Sequence, residues 1–402
     1  MTLDRLQEDY LTLLGEDGAR LIIGTKRSVE VKNELDVYAL EKGIKTPCNY
    51  LLSNFFDDCG MQSANRGSFA PVVVDVMERS IHAAKAASAF TTDASVALAL
   101  SPYKAFGAEV MRTKHGFLVL ISPVTFSICF LYAILAVTSS QATGLMQQGR
   151  VLHGPKGTPS IDPFDWAYAS HRALMSMIKE FVRTGSVDNP LCKVREARFD
   201  LLPWHYVYRV QATYEHMLDF LVLHELGHIC LGHMDQMEQV RRVVPCTSIS
   251  YEVSSPLPAQ EEAADEFAIN CLVGRGHGEE LLGLFQLIQE GKGQSRELDK
   301  LWTGDTSLGR YTSALQLLKF FDVLNTEQCE KNAGIQFTNL CELNGTHPSG
   351  QHRFIKNLAN QHVLELPVDH QFNPRLILDW QNYLSLDAAT RSQEQIRALW
   401  PQ

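Results

Sequence analysis

The sequence predicts an α+β fold that is mostly helical around one site, and three observations predict it. A long apolar run, Met217 to His233, reads as a buried helix. Gly116 to Val137 reads as a strand followed by a second buried helix. The composition, 45% hydrophobic and 20% charged, is that of a globular protein with ample core. A chain of 402 residues has room for one large domain or for several ordinary ones. The pattern divides it into an N-terminal α/β region of unknown role (1–110), a domain carrying the site (111–365) and a C-terminal helical extension (366–402).

In chain order, Leu6 to Leu14 has amphipathic helical spacing, and Arg20-Leu21-Ile22-Ile23 is strand-like. Val72 to Ser88 reads as a helix, with strand candidates after it up to Ile121. Gly116 to Ile121 is the clearest strand, a continuous apolar run of the right length. Ser122 then suits an N-cap and Pro123 a first helical position, which starts a buried helix from Val124 to about Val137. The whole uncharged stretch from Gly116 is long enough to cross a bilayer, but Pro123 interrupts it, so strand-then-helix is the better reading.

A Gly/Pro-rich loop, Gly149 to Ile161, comes next. Asp162 is a good N-cap and Pro163 a good first residue for a helix reaching about Arg183. A polar linker, Thr184 to Asp200, leads to a helical region from Pro203 to about His233. Met234 to Ala259 contains Pro245, Pro256 and Pro258 and has few helical signals. It reads as an irregular stretch that borders the site and is mobile. A helix follows from about Gln260 to Val273, ended by Gly274. Helical stretches recur at Glu279–Gly291 and Ser307–Asn325, after Thr346-His347-Pro348, and in the polar tail from Pro367.

The chemistry centres on His224-Glu225-Leu226-Gly227-His228. Residues four apart share a helix face, so His224 and His228 can present two imidazoles to one metal ion. Glu225 stands one residue along, within reach of a water at that metal, as proton acceptor. A catalytic zinc takes three protein ligands and keeps one position open. Gln260-Glu261-Glu262-Ala263-Ala264-Asp265 supplies the third. Glu261 and Asp265 lie on one helix face, so Glu261 can bind the metal while Asp265 accepts from the far nitrogen of a ligand histidine. Ala263, Ala264 and Ala268 are small enough for the helices to approach closely. Glu262 is the rival ligand, about 100° round the helix. His233 lies about 140° off the ligand face and reads as a helix C-terminal residue favoured by the macrodipole.

His-Glu-Leu-Gly-His followed by Glu-Glu-Ala-Ala-Asp resembles the gluzincin metallopeptidases of the prenyl-protease type, whose signature is HExxH with a later ExxxD. Those proteins also carry a Thr-His-Pro followed by an arginine, as in Thr346-His347-Pro348 and Arg353 here. Among soluble families the chain looks most like the Lit-type phage-exclusion peptidases. The match covers roughly 217–273 and 346–355, and is vague from about 110 to 215. The resemblance implies a zincin-like fold, one zinc per chain held by His224, His228 and Glu261, Glu225 as base and acid, and Asp265 behind the ligands. It offers His347 either as a donor to the tetrahedral intermediate or as a cap on the turn before a helix. Arg353 is expected to be a structural ion-pair partner.

The expected activity is zinc-dependent endopeptidase hydrolysis of a peptide bond in a specific cellular protein, in phage exclusion, defence or as a toxin. The alternative is a zinc-binding regulatory or interaction module without hydrolysis. A membrane-embedded prenyl-protease-like enzyme needs several apolar spans, and one doubtful candidate exists. A net charge of −10 argues against a general nucleic-acid or anionic-membrane partner. Nine cysteines without a CxxC pair, and an N-terminus without a basic-then-apolar signal, point to a reducing, cytoplasmic setting. Oligomeric state is not legible.

Overall fold

The computed structural model describes residues 5, 6, 8, 9, 70–87, 89–101, 106–147, 149–153, 159–184, 204–236, 238–243, 250–274, 309–311, 313–318, 320, 321 and 353. They form a mixed α+β arrangement. Its elements are α1 (Ala70–Ala86), β1 (Ser95–Leu100), β2 (Ala108–Arg112), β3 (Gly116–Ile121), α2 (Pro123–Gln147), α3 (Pro163–Thr184), α4 (Trp204–Cys230), β4 (Glu238–Val243), β5 (Ser250–Ser255) and α5 (Pro258–Val273). Further helical residues lie at 309–311, 313–318 and 320–321.

The three-stranded sheet has the order β1-β3-β2, with β1 parallel and β2 antiparallel to β3. The apolar run of β3 takes the central place, where Leu118 to Ile121 are fully buried. This sheet spans the domain boundary expected at 110, which falls inside β2. Its strands β2 and β3 pack on α4. Helices α1, α2 and α5 also pack on α4, and α3 covers α2. The motif helix is therefore surrounded, which is why a helix apolar on nearly every side is stable here.

Helix α2 is buried all round from Ile128 to Ala136. It runs ten residues past the expected end at Val137, and the buried Ser139 in that extension is satisfied inside the helical layer. Ser139 Oγ donates to Leu135 O (2.8 Å), and the same hydroxyl meets Nε2 of His171 on α3. Among the described residues no helix is long and apolar enough to cross a membrane. The Asp162 cap is in place, its Oδ1 accepting from Phe164 N–H at 2.8 Å. Helix α5 starts at Pro258, two residues before the expected start. There the Gln260 side-chain oxygen accepts from Leu257 N–H at 2.8 Å.

The stretch expected to be irregular, Met234 to Ala259, holds an antiparallel hairpin instead. β4 pairs with β5 from Glu238↔Ser255 to Val243↔Ser250. The period-two signal is short: Tyr251 and Val253 face inward while Glu252 is exposed. Two buried positions in β5 and none in β4 give no run that stands out from a polar loop. The hairpin leans on β2, where Arg242 donates to Glu109 Oε1 (Nε at 2.9 Å, Nη2 at 2.7 Å).

The approach of α4 to α5 depends on Gly227. A Cβ there would lie 3.2 Å from Ala264 Cα, 3.3 Å from Ala264 O and 3.1 Å from the Phe267 ring. The small residue expected on α5 thus meets a glycine on α4, backbone against backbone. Gly227→Val is expected to wedge the helices apart and destabilise the protein by about 1–3 kcal/mol or more. Urea unfolding of the two proteins measures this, and an unchanged midpoint would show that the contact is slack.

Candidate metal centre

Helix α4 carries His224, Glu225 and His228, and α5 carries Glu261 and Asp265. All five side chains are buried. The Nε2 atoms of His224 and His228 face each other at 3.2 Å. Glu261 Oε2 lies 3.3 Å from His224 Nε2, and Oε1 lies 3.5 Å from His228 Nε2. Bonds of about 2.0–2.1 Å to a tetrahedral ion imply ligand–ligand edges of about 3.3–3.4 Å. The three observed separations scatter closely around that edge, so the donor set fits one ion. Among the described residues, His224, His228 and Glu261 are the group that could hold a metal. Glu262 is half-buried and outside this group.

The electrostatics favour the same reading. Burial pushes the His224 imidazolium pKa down, but Glu261 and Asp265 outweigh it and raise it to about 10. Without an ion, a proton on His224 stands in for the positive charge that two buried carboxylates require. Burial holds His228 down at about 4, so its ring is neutral and has a lone pair to offer. Burial also raises Glu225 to about 7. The charges of Glu261 and of Glu109 on β2 add to that rise, and His224 and Arg353 oppose it.

Behind the ligands, Asp265 Oδ1 lies 2.9 Å from His224 Nδ1. The carboxylate therefore accepts a hydrogen bond from Nδ1–H and leaves Nε2 facing the other two side chains. Arg353 clamps the same carboxylate at both oxygens, with Nε to Oδ2 at 2.7 Å and Nη2 to Oδ1 at 2.5 Å. Its Nη1 is 3.5 Å from Glu261 Oε2. Arg353 Nη2 also lies 3.5 Å from His224 Nδ1. Both of those nitrogens are donors toward Asp265, so this separation is a shared acceptor rather than a hydrogen bond. The arginine is thus the ion-pair partner it was expected to be, and its partners are Asp265 and Glu261. His347 lies outside the described residues.

His233 is a correction. Helix α4 ends at Cys230, and Gly232 turns the chain in the left-handed region (φ 72°). His233 then opens a short 3-10 turn, and its Nδ1 sits 3.0 Å from His228 Nδ1. The 140° offset assumed a continuous helix, whereas the turn folds the ring back over the ligand. Glycine next to His233 was the available signal. The charge of Glu109 near Glu225 had no sequence signal, because β2 is remote along the chain. At the other end, Arg79 on α1 grips Asp219 on α4 at both oxygens (Nε at 3.2 and 3.0 Å, Nη2 at 2.9 Å), which fixes the helix that bears the motif.

Comparison with protein-family models, with curated proteins and with solved structures returned no match.

Metal analysis of the purified protein is expected to find about one ion per chain, lost in His224→Ala, His228→Ala and Glu261→Ala. Glu262→Ala should keep it; the reverse result for the two glutamates would move the third ligand by one residue.

Removing Arg353 strands the buried Asp265 carboxylate, so Arg353→Ala is expected to cost about 3–5 kcal/mol at neutral pH. Burial works to raise the Asp265 pKa, but Arg353 and His224 prevail and hold it below the usual 3.8. The contribution is therefore complete above 3.8 and is lost as the pH falls through the depressed value. Urea unfolding across that range should show the gap between wild type and variant closing on the acid side. A gap that instead widened toward acid would contradict an ionised Asp265.

Proposed function

We propose that the protein is a zincin-like, zinc-dependent endopeptidase of gluzincin type that cleaves a peptide bond in a specific cellular protein. The observation that carries this reading is the buried His224–His228–Glu261 triangle with Glu225 one residue from a ligand. Two imidazoles and one carboxylate form a donor set that zinc takes in hydrolases. When bound, zinc supplies Lewis acidity toward oxygen.

The chain's own groups would then do the proton work. Glu225 accepts a proton from water as the water oxygen adds to the peptide carbonyl carbon. It returns that proton to the amide nitrogen as the C–N bond breaks, so the carboxylate is regenerated. Its pKa of about 7 suits both transfers near neutral pH. Asp265 and Arg353 keep the His224 ring aligned through the cycle. The resemblance of the two motifs to phage-exclusion peptidases supports a role in phage exclusion, defence or toxicity, in the cytoplasm, with one zinc per chain.

One observation favours a second reading, a zinc-holding regulatory module without hydrolysis: Glu225 is 9% exposed, which leaves a substrate little access. One variant separates the two. Glu225→Gln removes the proton acceptor and keeps every ligand, so it should fold and retain zinc. It is expected to lose about 10²–10⁴-fold in cleavage rate. The assay is proteomic detection of new protein termini in cells expressing each form. A folded, zinc-loaded Glu225→Gln protein that yields the same termini, or phage restriction equal to wild type, would leave the regulatory module standing.

A further inference from the structure

We infer that His233 is a positioning residue that sets the tautomer of the ligand His228. The inference rests on the metal reading above and adds a residue to it. A neutral imidazole has one protonated and one bare nitrogen. Nε2 of His228 faces His224 and Glu261, so Nε2 is the nitrogen that must be bare to bind a metal. The proton must then sit on Nδ1, where a buried N–H needs an acceptor. His233 Nδ1, at 3.0 Å, supplies it. His233 therefore accepts on Nδ1 and carries its own proton on Nε2. The opposite direction would place the His228 proton on Nε2 and close the ligand position.

The two ligand histidines are thus backed differently. His224 has a carboxylate behind it, itself held by Arg353. His228 has a neutral ring held by a turn: Gly232 reverses the chain, Gly232 N–H donates to Ile229 O at 3.2 Å, and the neighbouring Met234 is buried. A second carboxylate behind His228 would add negative charge to a site already holding Glu261 and Asp265. A neutral acceptor fixes the ring without that addition.

Zinc affinity of the full chain, measured against a chromophoric chelator, tests this with His233→Leu and His233→Asn. The asparagine carbonyl falls near the place of the lost Nδ1 and can accept the same hydrogen bond. His233→Leu is expected to weaken zinc about 10–100-fold, as loss of a ligand's backing group does. His233→Asn is expected to recover most of that loss. Nitrogen NMR of the zinc-loaded wild type gives a readout that needs no variant: a His228 Nδ1–H protected from exchange, with Nε2 bare. Unchanged affinity in His233→Leu, equal losses in both variants, or a His228 protonated on Nε2 would each overturn the assignment. A wild type that takes up no zinc would overturn the metal reading itself, which separates the two failures.

Discussion

Two helices can share one metal ion only if their backbones come within reach of short side chains. The contact of Gly227 with Ala264 sets that distance. A glutamate is a short ligand, and Glu261 meets both imidazoles only because nothing larger than hydrogen stands between the helices one turn away. The surrounding layers serve that contact. α1 holds α4 from one side through Arg79 and Asp219, and the sheet and α2 bury its remaining faces. A site built on packed helices holds its ligands more tightly than one built on loops.

The site gathers charge in a place where charge is expensive. Glu225 on α4 and Glu261 and Asp265 on the facing α5 are all buried around one site. Arg353 and the His224 ring are the positive groups that make this tolerable among the described residues. Asp265 touches both, so it is the hinge of the electrostatics, although the proposed proton transfers do not involve it. Glu225 lies at the edge of this balance, pulled up by burial and two carboxylates and held back by His224 and Arg353. A carboxylate that titrates near neutrality suits the acceptor-then-donor role proposed for it.

What the sequence disclosed was whatever depends on local spacing. Four-residue intervals placed His224 with His228 and Glu261 with Asp265, and Asp162-Pro163 announced its own helix. What stayed hidden depends on contacts between distant segments or on single dihedrals. The hairpin of β4 and β5 has too few inward residues to register as strands. His233 was assigned to a helix that ends three residues earlier, because one positive φ at Gly232 redirects the chain. The sheet that joins β1, β2 and β3 runs across residue 110, and strand pairing of that kind has no local spacing to read. Arg79 and Asp219 lie 140 positions apart, beyond any window of pattern reading.

Arg353 enters the site from 88 residues downstream of Asp265. During synthesis the two ligand-bearing helices leave the ribosome long before that guanidinium exists. Until it arrives, Asp265 has to stay hydrated or protonated, and a fully buried arrangement of α4 on α5 is disfavoured. Completion of the centre is thereby timed to a late stretch of translation. A nascent chain stalled before that point would hold the histidine pair and Glu261 without the cation that neutralises their setting. Such ordering keeps an unfinished chain from assembling the buried cluster.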